Sequence, residues 1–447
     1  MQDENFLKRK AEKPFLLSEK LHPIYRGKIE IIPKVPVSKF GYFAIWYTPG
    51  VAAACKRIAQ DRDLSFSMTS RWNTIAVISD GTRVLGLGNI GPEAALPVME
   101  GKALLFKALG GVDAIPICLQ ENNPDKIIEI VKSLEPSFGG INLEDIEKPK
   151  CFYILEKLRS EMSIPVWHDD QQGTATIILA GLINALKIVN KKINEVKIFM
   201  LGAGAAGVAT LKLLMLAGAN AENIILADRK GVIHRNREDL EEKFGIHAEI
   251  IRKTNGENVK GDYRNGIKGA DVVIALSTPG PGVIQKEDIK NMAKDAIVFA
   301  CANPVPEIWP WEAKDGGAKI VATGRSDFPN QVNNSLVFPG IFRGVLDVSA
   351  KTITDTMCVE VADEIAKFAE EKGISEEYII PRMDEWELYP RIAARAADAA
   401  TKENIARNGL LYGEELSNAR RIILRAQELF SRLEEEGYIK DFSHENH

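Results

Sequence analysis

A glycine-rich turn near the middle of the chain places the strongest constraint on the fold. Residues 196–201 have the pattern of a buried strand, residues 202–207 read G-x-G-x-x-G, and an apolar helix pattern follows. In this setting the glycines permit a tight turn, the approach of a pyrophosphate, and close packing of helix on strand. The amino end of the helix stabilises phosphate charge. A Rossmann-like dinucleotide site is therefore predicted, with these residues against the cofactor: Gly202, Gly204, Ala205, Ala206 and Gly207.

An acidic residue at the end of the next predicted strand bears on the choice of cofactor. Asp228 follows Gly207 by 21 positions, near the spacing at which a carboxylate accepts hydrogen bonds from a ribose diol. Arg229 and Lys230 come next and could attract a 2′-phosphate instead. This pattern favours NAD over NADP and leaves NADP open, with Asp228 and Arg229 as cofactor-binding candidates.

Predicted strands and helices alternate along most of the chain, which indicates an α/β fold with parallel sheets. The predicted strands cover residues 74–78, 113–119, 140–143, 164–167, 196–201, 223–227, 271–276, 296–300 and 319–322. The predicted helices among the early strands cover residues 97–109, 124–134, 151–162 and 174–190. At 447 residues, two or three domains are expected. We assign residues 1–164 to an N-terminal α/β domain and 165–447 to a doubly wound NAD(P)-binding Rossmann domain with a helical C-terminal extension.

Four local patterns add detail to this fold. Four prolines, at positions 14, 23, 33 and 36, predict an irregular arm over residues 1–40. Ser79-Asp80-Gly81-Thr82 predicts a hairpin between residues 74–78 and 84–87. Pro97 is expected near the first position of its helix. A helix over residues 414–436 carries apolar residues at heptad steps, which favours docking on the protein's own core over a dimer seam.

Charge and composition exclude several classes of partner. The chain has 57 basic and 62 acidic residues, a net charge of −5, which predicts no general attraction for nucleic acid or anionic membranes. Its apolar runs are shorter than a membrane span, and the first residues lack the apolar segment of a secretory signal. Five widely spaced cysteines include no CxxC pair, so a reducing cytoplasm is expected. No HxxxH or HExxH pair occurs, and any metal must be held mainly by carboxylates.

Two pairs of acids follow neighbouring predicted strands. Glu144 and Asp145 come after residues 140–143, and Asp169 and Asp170 come after residues 164–167. The carboxyl ends of strands in a doubly wound sheet line one crevice, so the four carboxylates should converge. Such a cluster is costly unless a metal cation or a Lys or Arg side chain neutralises it, and for a metal the oxygen ligands favour Mg²⁺ or Mn²⁺. A single acid here would more often be a solvated loop residue or a helix cap.

Lys102 stands out in an otherwise apolar helical segment. Partial burial would lower the pKa of its amine and suit it to proton abstraction. Spacing alone favours a lysine whose stem packs on the surface while its amine reaches solvent.

Seven segments in order carry a family resemblance over about residues 40–350. They are YTPGVA at 47–52, VISDGTRVLGLG at 77–88, PVMEGKA at 97–103, FGGINLED at 138–145, HDDQQGTA at 168–175, CANPVPE at 301–307 and NQVNNSLVFPG at 330–340. Together they resemble the malic enzymes, in the small bacterial and archaeal form. One departure is Asn89, where many relatives carry Asp.

The resemblance implies oxidative decarboxylation of L-malate to pyruvate and CO₂ by NAD(P) with Mg²⁺ or Mn²⁺, in a homodimer joined through the first domain. Tyr47 would be the general acid, Lys102 the base, and Asp169 its partner. The roles implied for the other residues are a metal site of Glu144, Asp145 and Asp170, a grip on a malate carboxylate by Arg83, and substrate contacts from Asn303 and Asn334, with Asn303 also at the cofactor. Two other functions stay open: a 2-hydroxy-acid dehydrogenase without decarboxylation, and a non-catalytic NAD-binding sensor.

Overall fold

The computed structural model describes residues 4–440, with side chains described from residue 14 onward. The first of its two sheets has four parallel strands in the order β2-β1-β3-β4. The strands are β1 (Thr74–Ser79), β2 (Asp113–Cys118), β3 (Gly140–Leu143) and β4 (Val166–His168). The helices of this part are α1 (Glu4–Tyr25), α2 (Tyr42–Trp46), α3 (Val51–Gln60), α4 (Ser65–Met68), α5 (Pro92–Gly110), α6 (Pro124–Leu134) and α7 (Lys150–Glu161). Strand β1 is buried along nearly its whole length, which explains its continuous apolar run.

The second sheet has six strands in the order β10-β9-β8-β5-β6-β7, of which only β7 is antiparallel to its neighbour. The strands are β5 (Ile198–Leu201), β6 (Ile224–Asp228), β7 (Gly231–Val232), β8 (Val272–Ala275), β9 (Ala296–Ala300) and β10 (Ala318–Thr323). The helices before and among them are α8 (Thr174–Ile188), α9 (Ala205–Leu216), α10 (Leu240–Phe244), α11 (Ala248–Arg252), α12 (Tyr263–Ile267), α13 (Lys286–Lys290) and α14 (Pro310–Asp315). This is the predicted Rossmann-like sheet.

Four helices complete the chain. They are α15 (Phe338–Asp347), α16 (Asp355–Lys372), α17 (Leu388–Lys402) and α18 (Tyr412–Glu435). Helices α15, α17 and α18 pack on helix α5 of the first part, whereas α16 packs on α8, α9 and α17. The ring centroids of Phe106 in α5 and Phe338 in α15 are 4.5 Å apart. A β-carbon placed on Gly111, at the end of α5, would lie 2.7 Å from Cγ2 of Ile422 in α18. The apolar seam of α18 is buried within the chain at Ala419, Ile423 and Ala426, so its predicted docking on the protein's own core is confirmed.

The alternation of strands and helices is confirmed, and three local predictions are wrong. The irregular arm predicted over residues 1–40 is wrong for residues 4–25, where helix α1 runs through Pro14 and Pro23, because the fixed proline φ is compatible with a helix and each proline forfeits only one backbone hydrogen bond. Residues 26–40 contain no helix or strand, as predicted, and residues 1–3 lie outside the described residues. No hairpin forms after β1, since both of its edges already pair with β2 and β3; residues 84–88 contribute only a Val84–Gly88 bridge. Helix α5 begins at Pro92, after Gly91 with a φ of 84°, so Pro97 lies inside it.

The division of the chain at residue 164 stays a prediction. Strand β4, at 166–168, pairs with β3 and so completes the first sheet beyond that position. The two sheets are separated by the π-helical turn at Asp169–Gly173 and by α8.

Candidate active site

Carboxylates meet at the carboxyl edge of the first sheet. Glu144 and Asp145 follow β3, and Asp170 follows β4 in the π-helical turn. Each of the three offers one oxygen, and these oxygens lie within 4.8 Å of one another. The convergence expected at adjacent strand ends is thus present.

The charges of this acidic cluster of Glu144, Asp145 and Asp170 fit a divalent cation. Burial, with Asp170 nearby, raises the pKa of Asp145 to about 7. Burial and the other carboxylates raise the pKa of Glu144 despite Lys102. Oxygen Oδ2 of Asp145 is buried without a hydrogen-bond partner among the described residues. Several buried anions with an unpartnered oxygen are the donor set that hard cations such as Mg²⁺ or Mn²⁺ prefer.

Lys102 is buried beside this cluster rather than reaching solvent. Its Nζ lies 2.5 Å from Oδ2 of Asp169 and 3.0 Å from Oε1 of Glu144, and it stands 4.2 Å from the ring centroid of Phe338. Burial alone would lower the pKa of Lys102, but the carboxylates of Asp169 and Glu144 outweigh it and raise the pKa. The lowered pKa expected from burial is therefore wrong for this arrangement of charges.

Two side-chain donors hold the carboxylate of Asp169. Its Oδ1 accepts a hydrogen bond of 3.0 Å from Nε1 of Trp167, and Oδ2 accepts from Lys102. Asn334 lies nearby, because a β-carbon on Gly173 would be 2.2 Å from Oδ1 of Asp169 and 3.2 Å from the Cβ of Asn334. Residues from both halves of the chain thus meet at the Lys102–Asp169 pair.

Arg83 and Tyr47 are less closely joined to this centre. The backbone N–H of Arg83 donates to the carbonyl of Asp145 over 3.0 Å, while its exposed guanidinium Nη1 reaches the carbonyl of Leu85 at 3.2 Å. Tyr47 follows helix α2 with 72% of its surface exposed. Tyr47 is absent from the described contacts of Lys102.

The glycine-rich turn has the geometry predicted for it. Gly202 has a φ of 113°, and a β-carbon there would lie 2.3 Å from the carbonyl oxygen of Leu276. A β-carbon on Gly207 would lie 2.1 Å from the carbonyl oxygen of Gly202. A β-carbon on Gly204 would have no other atom within 4 Å of it. Helix α9 begins at the next residue, Ala205. The backbone is thus tight at the turn and open where a pyrophosphate would approach.

Asp228 ends β6 as expected, but its carboxylate is already paired. Arg237 approaches Oδ1 at 3.0 Å, Lys243 binds Oδ2, and the backbone N–H of Lys230 donates to Oδ1 over 2.8 Å. Despite burial, these donors lower the pKa of Asp228. A cavity of about 580 Å³ beside it is lined by residues that include Arg229, Lys230 and Arg237. Sequence spacing gave no signal for Arg237 or Lys243, which lie 9 and 15 positions after Asp228.

Asn303 lies on the loop after β9, where the two halves of the chain approach each other. It is exposed, and a β-carbon on Gly86 of the first part would lie 3.3 Å from its carbonyl oxygen. Lys148 also joins the two parts of the chain, because its Nζ donates a hydrogen bond of 3.4 Å to the backbone carbonyl of Ala203 in the glycine-rich turn. Sequence reasoning missed Lys148 and also Phe338 as neighbours of the two sites.

Together, a Rossmann-type sheet with a dinucleotide turn and a buried lysine–carboxylate centre are the features of an NAD(P)-dependent oxidoreductase, and the acidic cluster is compatible with a divalent cation. Residues 171–401 match the family model for the malic enzyme NAD-binding domain, and residues 26–125 and 120–159 match that for the malic enzyme N-terminal domain. The chain belongs to the malic enzyme family.

Named relatives and solved structures agree with this assignment. The chain is 50% identical to the NAD-dependent malic enzyme of Geobacillus stearothermophilus, over 85% of this chain and 78% of that protein. It is 44% identical to the NADP-dependent malic enzyme of Escherichia coli, covering 85% of this chain but only 51% of that longer protein. The structure of Entamoeba histolytica malic enzyme superposes with a TM-score of 0.94 at 47% identity, covering 97% of this chain and 92% of that one. No helix in the described residues combines the length and apolar character needed to cross a membrane.

Proposed function

We propose that this chain oxidatively decarboxylates L-malate to pyruvate and CO₂ and reduces NAD(P). The observation that carries the proposal is the buried Lys102 between Asp169 and the acidic cluster. A simple dehydrogenase or a nucleotide sensor needs no such cluster, whereas loss of CO₂ calls for a cation to withdraw electrons.

The side chains divide the chemistry between them. As hydride passes to the nicotinamide, Lys102 takes the C2 hydroxyl proton in its neutral amine form, and Asp169 holds the amine in place. The carboxylates keep Lys102 charged on their own, so it becomes a base only when a divalent cation at the acidic cluster offsets their field. Arg83, Asn303 and Asn334 bind and orient the substrate. Glu144, Asp145 and Asp170 would hold a Mg²⁺ or Mn²⁺ ion, which would offset their negative field and supply electron withdrawal from the substrate during loss of CO₂. Tyr47 then delivers a proton to C3.

One assay separates the proposed function from its alternatives. The full chain is incubated with L-malate and either cofactor, with and without Mn²⁺, while NAD(P)H and CO₂ are measured. Equal amounts of both products that depend on Mn²⁺ support the proposal. NADH without CO₂ would indicate a 2-hydroxy-acid dehydrogenase, and cofactor binding without turnover would indicate a sensor.

The cofactor is NAD or NADP, and the ion pairs of Asp228 bear on which is used. A free carboxylate would repel a 2′-phosphate and favour NAD. Because Arg237 and Lys243 offset the charge of Asp228, this repulsion is weakened. We therefore expect NADP to be accepted alongside the NAD that the sequence favours.

A homodimer is part of the proposal, since large apolar side chains of residues 15–51 are exposed in the single chain. They include Phe15, Ile31, Phe40, Ile45 and Trp46, and an apolar surface of this kind marks a protein interface. Tyr47 lies in the same stretch, so dimer formation would place Tyr47 of one subunit beside Lys102 of the other. Mixing inactive Tyr47→Phe and Lys102→Ala chains tests this: recovered activity places the two residues' sites across subunits, and its absence places them in one chain. A cytoplasmic location, without nucleic-acid or membrane partners, stays a prediction from the sequence.

A further inference from the structure

Glu307 is a buried carboxylate at the carboxyl edge of the second sheet, away from the acidic cluster. Its side chain is fully buried, at 0% exposure. Burial raises its pKa, while hydrogen bonds from backbone N–H groups oppose that effect. A buried carboxylate is costly to keep unless its oxygens are satisfied, so its partners indicate what it holds.

The donors to Glu307 come from two different loops. The backbone N–H and the Oγ of Ser277, after β8, donate to Oε1 over 2.8 and 3.1 Å. The backbone N–H of Ala302, after β9, donates to Oε2 over 3.0 Å. One carboxylate thereby joins the ends of two neighbouring strands.

Both loops lead directly to the proposed binding sites. A β-carbon on Gly202 would lie 3.2 Å from the backbone nitrogen of Ser277, so this loop packs against the glycine-rich turn. Ala302 precedes Asn303, and the next carbonyl, of Pro304, accepts a hydrogen bond of 2.8 Å from Nη1 of Arg325. The residues on either side of Asn303 are thus both held by side chains, Ala302 by the buried Glu307 and Pro304 by Arg325.

We propose that Glu307 is a positioning residue that fixes Asn303 against the substrate and Ser277 against the cofactor turn. It acts through hydrogen bonds to their loops and contacts neither ligand itself. Charge-assisted bonds from three donors hold these loops more firmly than neutral ones would. The proposal rests on the proposed role of Asn303 in binding malate.

The test compares Glu307→Gln with Glu287→Gln, an exposed carboxylate on α13, in the full chain with Mn²⁺. Glu307→Gln should raise the KM for malate about tenfold or more, with a smaller change in kcat, because binding geometry is loosened. In an Asn303→Ala background the same substitution should change KM by less than about twofold, because both changes act through one contact. Glu287→Gln should leave both constants unchanged.

Several results would overturn the proposal. One is a folded Glu307→Gln enzyme with the wild-type KM for malate. Another is a double variant in which the fold increases in KM caused by Glu307→Gln and by Asn303→Ala multiply in full. If Glu307→Gln does not fold, Ser277→Ala removes the Oγ donor alone, and an unchanged KM for malate and for cofactor in that variant rejects the role. A wild-type chain without malate turnover would instead reject the proposed function. In that case NAD(P)H fluorescence titration of Glu307→Gln still tests the link to the cofactor turn, with weaker binding expected.

Discussion

Lys102 donates a hydrogen bond of 2.5 Å to Oδ2 of Asp169, and both side chains are buried. The same ammonium lies 3.0 Å from Glu144 of the acidic cluster. A single cationic side chain therefore links Asp169 to the acidic cluster. Removing either partner of a buried pair leaves the other charge uncompensated, so substitutions at these positions should affect one another.

Lys102 and Tyr47 should be separable by partial reactions. Lys102→Ala should lower the rate of malate oxidation by about 10²-fold or more, because the proton of the C2 hydroxyl has no acceptor. Tyr47→Phe should impair ketonisation of enolpyruvate more than reduction of oxaloacetate, since only the former needs the proton at C3. Tyr42→Phe, a nearby tyrosine in helix α2, is the control. Full overall turnover by Tyr47→Phe would reduce Tyr47 to a packing or interface residue.

The acidic cluster should control the metal requirement. Glu144→Gln or Asp170→Asn should raise the Mn²⁺ concentration needed for activity and lower the rate by about 10²-fold or more. Direct Mn²⁺ binding, followed by electron paramagnetic resonance, should weaken in parallel. Glu147→Gln is a matched control, because its half-exposed side chain lies outside the cluster and pairs with Lys150. Near-normal Mn²⁺ binding by both cluster variants would remove the metal assignment.

The acidic cluster and the glycine-rich turn were predictable because both depend on local order. Carboxyl ends of parallel strands meet at one edge, so acids directly after β3 and β4 had to be neighbours. The strand, turn and helix around Gly202 likewise follow one another in the sequence.

Contacts made over long or irregular separations escaped the sequence patterns. The raised pKa of Lys102 depends on Asp169, 67 positions away, and on the packing that brings both inside. Arg237 lies in the irregular segment after β7 and Lys243 in the short helix α10, and no continuous sequence pattern links either cation to Asp228. Helices α15, α17 and α18 pack on α5, more than 220 positions earlier in the sequence, and no local pattern predicts that contact.

Opposed substitutions test the cofactor choice at Asp228. Asp228→Ala should weaken NAD and improve NADP relative to it, since the ribose diol loses an acceptor and the neighbouring cations are released. Arg237→Ala should shift the ratio of kcat/KM values toward NAD, because it frees carboxylate charge and removes a cation. Arg235→Ala serves as the control, as its side chain is 45% exposed and faces Glu222. An unchanged ratio in both variants would mean that Asp228 does not face the ribose.

Glu415 should make stability depend on pH. Burial, with Asp347 opposite, raises its pKa to about 10, and no donor reaches its oxygens within the described residues. The nearby Arg343 is engaged by Asp347, with Nε to Oδ2 at 2.9 Å. An unfolded chain releases this proton above a pH of about 4.3, whereas the folded chain retains it up to about pH 10. Stability from this group is therefore present at low pH and is lost progressively between those values.

Glu415→Gln keeps the neutral form at every pH. It should raise the melting temperature at pH 8.5 by a few degrees and change it much less at pH 5. The exposed Glu428, paired with Arg432, provides Glu428→Gln as the control. An equal shift of melting temperature at both pH values would show that Glu415 does not titrate as described.

Helix α18 should contribute more to the folding stability of each chain than to the association of two chains. Ile423 is fully buried, whereas its neighbour Leu424 is 39% exposed. Ile423→Ala should lower the free energy of unfolding by about 2–5 kcal/mol, and Leu424→Ala by less than about 1 kcal/mol. Deleting residues 413–447 should likewise lower the melting temperature while the dimer persists, because the proposed interface is formed by the exposed apolar residues of 15–51. Sedimentation of the truncated chain as a stable, well-folded monomer would show instead that α18 is the seam between subunits.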